Sequence, residues 1–482
     1  MKNIFITIYL CTFCLVLQAQ TDKWPYDNNW IFSYSSNKLG TIMTFGKDTM
    51  SLKIVKKPLA IDFTNCVLSD KNGALLFFGN GCEIHDSNNK AIINGTGMIE
   101  GILKTQCSYG MPRTQMNTFL MYENSDTVQL IQSDVDKYYE GSDIKLFNVS
   151  MSQKKVLDKE VFATDSTKGA YIKAVKHSNG KDWWVIVNHR KFDYYHTLHI
   201  NKEGFVEKKK IDYPKKGIFC YQIGQVNFSL DGKYYAFVDA RNGLNLFRFD
   251  RCTGELSQQK KLKFPVYQAD KGDFASGVCF SPNHRFLYAC TSDSLFQYDL
   301  KAPNLNESRV LIEVLDRTFY DGALNATFYL MENAPDGRIY MCCSTGVLYM
   351  HFINKPNEKG KACDFRQHGI NLGQYSRNIP NLSNYRLGAS DVVCKAVKQN
   401  LSENNLHIYP NPTQDILHIE AENGEAIQRI EVYNTIGELV HIADYQTIEI
   451  LLSTAAFPNG IYFLRVEYSN KKVSATKFIV LR

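Results

Sequence analysis

Apolar runs separated by a short polar turn recur along the middle of the chain. Each unit has a β-type apolar run, a turn rich in Asp, Asn and Gly, and a second apolar and aromatic run. Turn residues between two such runs predict β-hairpins. Five units fit this description, at Cys66–Phe78, Ala174–Val185, Val226–Ala236, Val278–Tyr288 and Ala334–Tyr340.

The spacing of these hairpins is regular. Their turn positions at 73, 180, 232, 284 and 337 are separated by 107, 52, 52 and 53 residues. Because the first interval is about twice the others, a further hairpin is expected near residue 126, where Thr118–Leu130 has the same pattern. A hairpin repeat of about 40–50 residues is typical of a β-propeller.

We therefore predict an all-β protein in which residues 21–395 form a WD-repeat-like β-propeller. The length and the period give seven blades, with six or eight as alternatives, and packing blades around an axis buries faces that one sheet cannot bury alone. We expect the strand near Trp30–Tyr34 to close the ring by pairing with the last blade. A sandwich array or a solenoid is disfavoured, because long helical patterns are absent and the repeat is too long for a β-helix.

A second unit follows the repeats. Residues 396–405 are polar and predict a linker. From residue 406 the chain again alternates in short runs, such as Ile416–Glu420 and Ile461–Val466, with turns at Asn434–Gly437 and Pro458–Gly460. Short strands over so few residues predict a small β-sandwich at residues 406–482.

The N-terminus has the pattern of a targeting segment. Lys2 precedes an apolar run from Ile4 to Leu17, and Ala19 supplies a small residue after it. The run is shorter than the about 20 residues that a membrane span needs. We predict a signal peptide at residues 1–19, with a retained anchor as the alternative, and no transmembrane segment in the mature chain.

Composition and charge exclude several classes of protein. Hydrophobic residues make up 44% and charged residues 22% of the 482 positions, as in ordinary globular proteins. A net charge of +6 is too small over this length to indicate nucleic-acid binding. Eleven of the 13 cysteines lie beyond the predicted signal peptide, so export would permit disulfides and leave an odd cysteine.

The tail resembles the type A C-terminal sorting domain of the type IX secretion system of Bacteroidota. The resemblance implies a β-sandwich, passage across the outer membrane with the type IX machinery as partner, and removal of the tail. The product would then be secreted or attached to the cell surface; an ordinary adhesion sandwich is the alternative. The residues that carry the resemblance are Tyr409, Pro410, Asn411, Pro412, Gly437, Asn459, Gly460, Ile461, Tyr462 and Lys477.

Residues 25–394 resemble a family of uncharacterised secreted propeller proteins from the same bacteria. The shared phrases include Gly73–Cys82, Cys107–Pro112, His177–Trp184, Phe249–Leu256 and Ile379–Gly388. This resemblance supports the fold and secretion and implies no established activity.

The common catalytic and cofactor-binding motifs are absent from the sequence. The chain has no Gly-x-Ser-x-Gly, no His-Glu-x-x-His and no phosphate-binding glycine loop. Asp134-Val-Asp136 starts like a calcium loop but lacks the later Gly and Glu, so a solvated strand end is preferred. We expect no catalytic residue, no cofactor and no metal.

His177, Trp183 and Trp184 form the most ligand-like cluster in the sequence. Neighbouring residues of a strand face opposite sides, so one indole would pack between blades and the other could stack on a sugar. Packing of both indoles is the preferred alternative. His196 and His199 would lie on opposite faces of one strand, which disfavours a metal pair.

Three pairs of cysteines are candidate disulfides, of which we expect two or three to form. Cys82 and Cys107 lie in adjacent strand-loop segments and recur together in the resembling family. Cys363 and Cys394 bracket the final blade, and their bond would fasten the ring. Cys279 and Cys290 lie roughly opposite each other across the hairpin at His284.

The sequence leaves several functions open. The first is a secreted or surface-attached binding and adhesion propeller whose ligand is a glycan or a protein. The second is a polysaccharide hydrolase or lyase with its site in the central funnel, and a purely structural envelope role is the third. Converging carboxylates in the funnel would favour the enzyme. A funnel floor of Tyr, Asn and backbone groups would favour binding.

Overall fold

The computed structural model divides the chain into two units. The propeller unit is Met1–Val393 and the tail unit is Cys394–Arg482. The structure describes residues 25–482 except 35–38, 47–48, 57–58, 100–103, 105–106, 135–139, 169, 190–192, 214–223, 240–241, 266–274, 317–318, 321–323, 391–393, 395–405, 422–423, 436–437 and 471–472. The predicted signal peptide at 1–19 and the linker at 396–405 lie outside these residues, as do Asp136 and Gly437.

The repeated turns form the tips of hairpins between the first two strands of their sheets. A residue with positive φ occupies the same place in each turn, at Gly73, Gly180, Gly232, His284 and Gly337. Glycine adopts this conformation without steric cost, which explains its recurrence. The Asp70 carboxylate accepts hydrogen bonds from the backbone N–H groups of the second and fourth following residues at 2.8 and 2.9 Å. These local contacts fix the hairpin register.

Seven antiparallel sheets of three or four strands follow one another in the described part of the propeller unit. A pair of two-residue strands, Phe319–Tyr320 and Leu324–Asn325, and a 3-10 helix at Gly360–Cys363 lie near the last sheet. Numbered in chain order, sheet 1 contains β1 (Asn29–Phe32), β2 (Leu39–Phe45) and β3 (Met50–Lys56); sheet 2 β4 (Cys66–Ser69), β5 (Leu75–Gly79) and β6 (Ile84–Asp86); sheet 3 β7 (Asn117–Leu120), β8 (Thr127–Ser133), β9 (Glu140–Ser150) and β10 (Lys155–Lys168); sheet 4 β11 (Lys173–Lys176), β12 (Trp183–Asn188), β13 (Tyr194–Asn201) and β14 (Gly204–Asp212); sheet 5 β15 (Gly224–Phe228), β16 (Tyr234–Asp239), β17 (Gly243–Phe249) and β18 (Leu256–Leu262); sheet 6 β19 (Ser276–Phe280), β20 (Phe286–Thr291), β21 (Ser294–Asp299) and β22 (Val310–Val314); the pairing β23 (Phe319–Tyr320) and β24 (Leu324–Asn325); and sheet 7 β25 (Met331–Asn333), β26 (Ile339–Met341), β27 (Val347–Ile353) and β28 (Phe365–Ser376).

Burial falls from the first to the last strand of each sheet. The first strands β1, β4, β7, β11, β15 and β19 are buried at every position, whereas outer strands such as β3 and β14 are largely exposed. The first strands of consecutive sheets lie side by side. Sheets arranged radially around an axis, with their first strands innermost, define a β-propeller.

The ring closes by packing and not by strand pairing. Residues Asn29–Phe32 pair with β2 in a sheet of their own, so the expectation that this strand joins the last blade is wrong. Instead, Trp30 packs edge-on against Tyr340 of sheet 7 with ring centroids 5.6 Å apart. The Thr41 hydroxyl also donates a hydrogen bond to the backbone carbonyl of Leu372 at 2.6 Å. The N-terminal segment contributes a whole sheet. The apolar pattern of a single strand does not indicate whether that strand joins another blade or belongs to a sheet of its own.

The tail unit contains two antiparallel sheets around one apolar core, as the sequence predicted. Its core includes Leu417, Ile430, Val432, Leu464 and Phe478, contributed by alternate positions of strands from both sheets. The three-stranded sheet has the order β29 (Leu406–Tyr409), β30 (Ile416–Ala421), β33 (Glu449–Ser453); the four-stranded sheet has the order β32 (Leu439–Thr447), β31 (Ile427–Tyr433), β34 (Gly460–Tyr468), β35 (Val473–Val480).

Candidate functional site

A segment without regular structure, residues 377–390, runs along the axis of the ring. We call it the axial segment. Near its start, Asn378 donates a hydrogen bond to the carbonyl of Ser33 at 2.9 Å and accepts one from the Asn65 amide at 2.8 Å. All three residues are buried. The segment is thereby joined to sheets 1 and 2 at their inner ends.

Asn381 is the central residue of the axial segment. Its amide donates to the carbonyls of Asn117 and Ile172 at 2.8 and 2.9 Å, which join sheets 3 and 4. Its side-chain oxygen accepts from Gln115 at 3.2 Å, and its backbone N–H donates to the Asn65 carbonyl at 2.8 Å. One buried side chain therefore satisfies polar groups at the inner ends of sheets 3 and 4, as buried polar groups require.

The axial segment continues past sheets 3 to 5. The Tyr385 hydroxyl donates to the Phe119 carbonyl at 2.9 Å, and its ring contacts Tyr26 and Trp183 edge-on, with centroids 5.8 Å away in both cases. Burial raises the pKa of this phenol well above its usual value. The amide of Asn384 reaches the Leu230 carbonyl at 2.9 Å. This part of the funnel is occupied by the chain itself.

A buried ion pair lies between sheets 4 and 7. The Lys173 ammonium and the Glu332 carboxylate are 2.5 Å apart, and both residues lie on inner strands with under a tenth of their surface exposed. Burial raises the pKa of Glu332, although Lys173 opposes this. Nearby, Gln225 bonds the backbones of Val278 and Met331 and so links sheets 5, 6 and 7. Glu332 is therefore a paired structural carboxylate without access to a substrate.

Trp183 and Trp184 are both packing residues. Trp183 has no exposed surface and Trp184 has 1%, and their indole N–H groups donate to the carbonyls of Met121 at 3.2 Å and Arg251 at 2.8 Å. The two residues face opposite sides of β12, as predicted from strand alternation. Because neither indole is exposed, stacking of one of them on a sugar is wrong and the packing alternative holds.

His177 is part of a three-residue polar cluster at the edge of sheet 4. Its ring stacks on His199 with centroids 4.6 Å apart and planes 9° from parallel. His199 in turn shares a hydrogen bond with Asp182 at 3.0 Å. Burial, followed by the charge of His199, lowers the pKa of His177. Although burial alone would raise it, hydrogen bonds from His199 and Asn179 lower the pKa of Asp182.

This cluster brings together ligand types that bind transition metals, with one ligand atom from each residue within 4.8 Å of the others. Its geometry is nevertheless unsuitable for a shared ion. Imidazole lone pairs lie in the ring plane, so two nearly parallel rings do not direct them to one point. Nδ1 of His177 also accepts the Asn179 N–H at 3.0 Å. The pairing of Trp184 with His199 across β12 and β13 brings the cluster together, and sequence spacing alone did not indicate it.

A disulfide fastens the loop between sheets 2 and 3. Cys82 and Cys107 are bonded, with their Cα atoms 5.7 Å apart. Gly110 has φ of 84°, and a Cβ there would lie 2.5 Å from the Asp62 nitrogen, so the loop needs glycine to approach the ring. Between them Tyr109 is 58% exposed. Sequence patterns do not single out Tyr109, although the segment Cys107–Pro112 shared with secreted propellers contains it.

The other two predicted disulfides are wrong. Cys279 and Cys290 are buried and are not bonded to each other, because Cys279 lies opposite Tyr288 while Cys290 lies opposite Gly277, two positions away. Cys363 is a free buried thiol within the core beside sheet 7, whereas Cys394 is disulfide-bonded, as is Cys252. The positions of the cysteines along a blade therefore do not predict which of them form a disulfide.

The Tyr-Pro-Asn-Pro motif holds the end of the tail unit in place. The Asn411 side chain accepts from the Ile479 N–H at 2.9 Å and donates to the Lys477 carbonyl at 3.2 Å. Thr413 continues this contact through backbone bonds to Ile479 at 2.8 Å and Leu481 at 3.0 Å. Tyr409 stacks on His418, with ring centroids 4.8 Å apart. The motif thus fastens β35 to the start of the unit.

The remaining sorting residues divide into buried and displayed ones. Asn459 accepts from the Arg482 N–H at 3.0 Å, and Tyr462 is buried with its hydroxyl donating to the Pro458 carbonyl at 2.8 Å. Ile461 and Lys477, by contrast, are exposed. Among the described signature residues only Tyr462 is buried, because Tyr409, Pro410, Asn411, Pro412, Asn459 and Gly460 are exposed as well.

The tail matches a known protein family. Residues 407–481 match the family model described as secretion system C-terminal sorting domain. No curated protein sequence matches the chain.

Solved structures similar to the chain include three informative examples. PorZ, an essential surface component of the type IX secretion system of Porphyromonas gingivalis, is 11% identical over 93% of this chain and 64% of its own, with a TM-score of 0.35. The periplasmic gluconolactonase PpgL of Pseudomonas aeruginosa is 12% identical over 74% and 97%, with a TM-score of 0.40. The β-propeller domain of Cps50 (Swd1) from Myceliophteria thermophila is 9% identical over 76% and 98%, with a TM-score of 0.31.

These findings define the class of protein. It is an exported all-β protein with a β-propeller and a type IX sorting tail, and the tail implies a secreted or cell-surface location. Among the described residues, no helix has the length and apolar character needed to cross a membrane.

Proposed function

We propose that the propeller is a binding module displayed outside the cell, and that it holds its ligand at the rim and not in the central funnel. The observation that carries this proposal is the axial segment, whose Asn, Tyr and backbone groups are bonded to the inner strands of sheets 1 to 5, where a funnel site would lie. Glycoside hydrolysis needs two carboxyl groups flanking an accessible sugar. Glu332 is sealed in an ion pair, which argues against the funnel hydrolase or lyase.

The loop closed by the disulfide supplies a candidate contact with the ligand. Tyr109 is exposed, and the turn around it is constrained on one side by the Cys107 disulfide, two residues earlier, and on the other by the close approach of Gly110 to the ring. A rigid aromatic side chain offers a large contact area at low entropic cost. Loops positioned by a rigid scaffold are also the usual sites of binding.

The test combines binding with product analysis. The exported protein would be screened on an array of bacterial and host polysaccharides and glycoproteins, and the best hits would be analysed for new reducing ends or unsaturated products. We expect retention without cleavage. Tyr109→Ala should weaken binding to the best hit at least tenfold at unchanged melting temperature, while Tyr109→Phe should bind within about twofold of the parent.

Two results would contradict the proposal. Cleavage products that depend on the protein would establish an enzyme and would place its site elsewhere than the closed funnel. If Tyr109→Ala bound the ligand as well as the parent, the disulfide loop would not be part of the contact surface. The ligand would then bind another part of the rim.

A further inference from the structure

Sheets 4 and 5 of the propeller carry an excess of positive charge. Residues 173–263, which form these two sheets, contain 18 Lys and Arg and nine Asp and Glu, whereas the whole chain contains 55 and 49. The excess in this segment is therefore larger than the net charge of +6 of the whole chain. Charge of one sign that is concentrated on one part of a surface attracts ligands of the opposite sign.

The lysine run on β14 of sheet 4 is largely neutralised by acidic neighbours. The Lys208 ammonium lies 3.6 Å from the Glu160 carboxylate, and that of Lys209 lies 3.0 Å from the Glu207 carboxylate. These carboxylates would compete with an anionic ligand. The cations that an anion can reach lie on sheet 5 and beside it.

Five cations lie at the outer edges of sheets 5 and 6 and form no ion pair with any residue that the structure describes. The Asp299 carboxylate on sheet 6 is bound by Arg285 at 2.9 Å instead, and Asp231 lies 3.6 Å from Lys233. Four of the five cations are exposed and the fifth, an arginine of sheet 6, is half-buried. We name this surface the basic edge: Arg248, Lys260, Lys261, Lys263 and Arg309.

The strand register brings these cations together. Lys260 lies opposite Leu246 of β17, and Arg248 follows two positions later on the same face of that strand. The Arg309 guanidinium donates a hydrogen bond to the backbone carbonyl of Lys263 at 3.0 Å, which joins sheet 6 to the end of β18. The basic edge therefore spans two neighbouring sheets.

Aromatic rings hold the two guanidinium groups in place. Arg248 lies over the Tyr234 ring at 4.7 Å from its centroid, and Arg309 lies over the Phe296 ring at 5.2 Å. Such contacts attract a cation to the ring face and leave its charge in place. A positioned guanidinium presents its N–H groups in a planar fork, which suits a carboxylate or a similar oxyanion.

Protection of the sheet edge does not explain this arrangement. Lysines on the last strand of a sheet prevent that strand from pairing with another chain, which would account for Lys260 and Lys261. Arg248, however, lies on the third strand of sheet 5, and Arg309 precedes β22. Binding of an anion explains all of these cations together.

The chemistry of the basic edge favours an acidic polysaccharide over a nucleic acid. Single-stranded nucleic acids bind proteins through aromatic side chains on which their bases stack. The rings at the basic edge are covered, because Phe264 and Phe296 are each 8% exposed and Tyr234 lies beneath Arg248. A polysaccharide with carboxylate or sulfate groups needs the cations and no stacking surface.

We propose that the basic edge binds an acidic polysaccharide outside the cell, with Arg248, Lys260 and Arg309 holding its carboxylate or sulfate groups. This inference goes beyond the proposed function, because it assigns a class of ligand to a surface on sheets 5 and 6. It does not depend on the contact proposed for Tyr109.

The experiment measures binding of the purified full-length protein to immobilised polygalacturonate, dextran sulfate and neutral dextran. The parent should bind at least one of the acidic polymers and not dextran, and binding should weaken at least tenfold between about 0.05 and 0.5 M salt, because salt screens exposed charges. Lys260→Glu/Lys263→Glu should bind at least tenfold more weakly than the parent at unchanged melting temperature. The control Lys53→Glu/Lys56→Glu changes the net charge equally at exposed positions of β3 and should bind within about twofold of the parent.

Single variants keep the proposal falsifiable if the double variant unfolds. Lys260→Gln and Arg248→Gln each remove one charge, and each should weaken binding at least threefold in a folded protein. Tyr109→Ala should bind the acidic polymers as the parent does, which separates this surface from the disulfide loop.

Several results would overturn the proposal. They are a parent protein that binds neither acidic polymer, equal losses in the basic-edge and control variants, and loss of polymer binding in Tyr109→Ala. Binding of single-stranded or duplex DNA at least tenfold more tightly than both acidic polymers would also overturn it, because the basic edge would then be a nucleic-acid surface.

Discussion

At the residue scale, Asn381 illustrates how a single buried amide can organise a ring. It bonds the carbonyls of Asn117 and Ile172, which lie at the starts of the inner strands of neighbouring sheets. We expect Asn381→Ala to lower the free energy of unfolding by about 3 kcal/mol, because each buried group left unsatisfied costs about 1–3 kcal/mol. Urea denaturation followed by tryptophan fluorescence would measure the difference.

Asn88→Ala is the matched control for that substitution. Asn88 lies on an exposed turn, so its replacement should change the free energy of unfolding by no more than about 0.5 kcal/mol. Equal effects of the two substitutions would mean that Asn381 does not organise the axis.

Lys176 makes a second residue-scale prediction, on pH dependence. It is buried beside the Trp183 ring, with its ammonium 3.8 Å from the ring centroid, and burial lowers its pKa from 10.5 to about 7. Between pH 7 and 10 the unfolded chain therefore holds a proton that the folded protein has released. Stability should rise with pH across this window, because the unfolded state binds more protons.

Replacing Lys176 with methionine should flatten that rise and increase stability at pH 6, where the buried charge is otherwise present. Urea unfolding at pH 6, 8 and 9.5 would compare this variant with the parent and with Lys181→Met, an exposed position on the same hairpin. An unchanged slope in Lys176→Met would show that the ammonium stays protonated throughout the window.

At the scale of elements, the axial segment replaces a closing strand as the feature that completes the propeller. A chain that ends at residue 376 retains every strand of the seven sheets but lacks Asn378, Asn381 and Tyr385. The inner carbonyls that these side chains satisfy would be left without partners, so we expect no cooperative unfolding transition. A chain that ends at residue 395 should unfold cooperatively at the same urea concentration as the full protein's propeller.

The axial segment is also the part of the propeller that sequence patterns do not predict. The hairpins were predictable, because apolar alternation and Asx-Gly turns are local signals, and Thr118–Leu130 was located from the period alone and forms β7 and the start of β8. Residues 377–390 have no periodicity, and their role depends on contacts with residues more than 200 positions away. The segment Ile379–Gly388 is shared with the secreted propellers that the chain resembles, but this resemblance does not indicate its structural role.

Cross-strand register explains the remaining errors. Stacking of His177 on His199 and the separation of Cys279 from Cys290 both depend on which residues face each other across a hairpin. A shift of two positions leaves a pair on the same face but out of bonding distance. Composition and spacing predict that a hairpin exists and do not predict this offset, so disulfides and side-chain clusters needed the structure.

At the scale of the whole molecule, folding and sorting reside in different units. Every sheet of the propeller and the axial segment precede residue 394, while the family match begins at residue 407. Deleting residues 406–482 should therefore leave the propeller folded but retain it in the periplasm. Asn411→Ala should have an intermediate effect, because it removes the side-chain bonds that hold Ile479 and Lys477 and so loosens the last strand of the sorting domain.

Cell fractionation with antibodies against the propeller would measure both effects, and thermal unfolding of the periplasmic product would verify its fold. If the deleted protein still reached the medium in normal amounts, export would depend on the propeller and not on the tail. If it remained inside but unfolded, the tail would be needed for folding, and the division of roles between the units would be wrong. Only a folded protein retained in the periplasm would show that the residues before 394 are sufficient for folding and that the residues from 406 onward are needed for export.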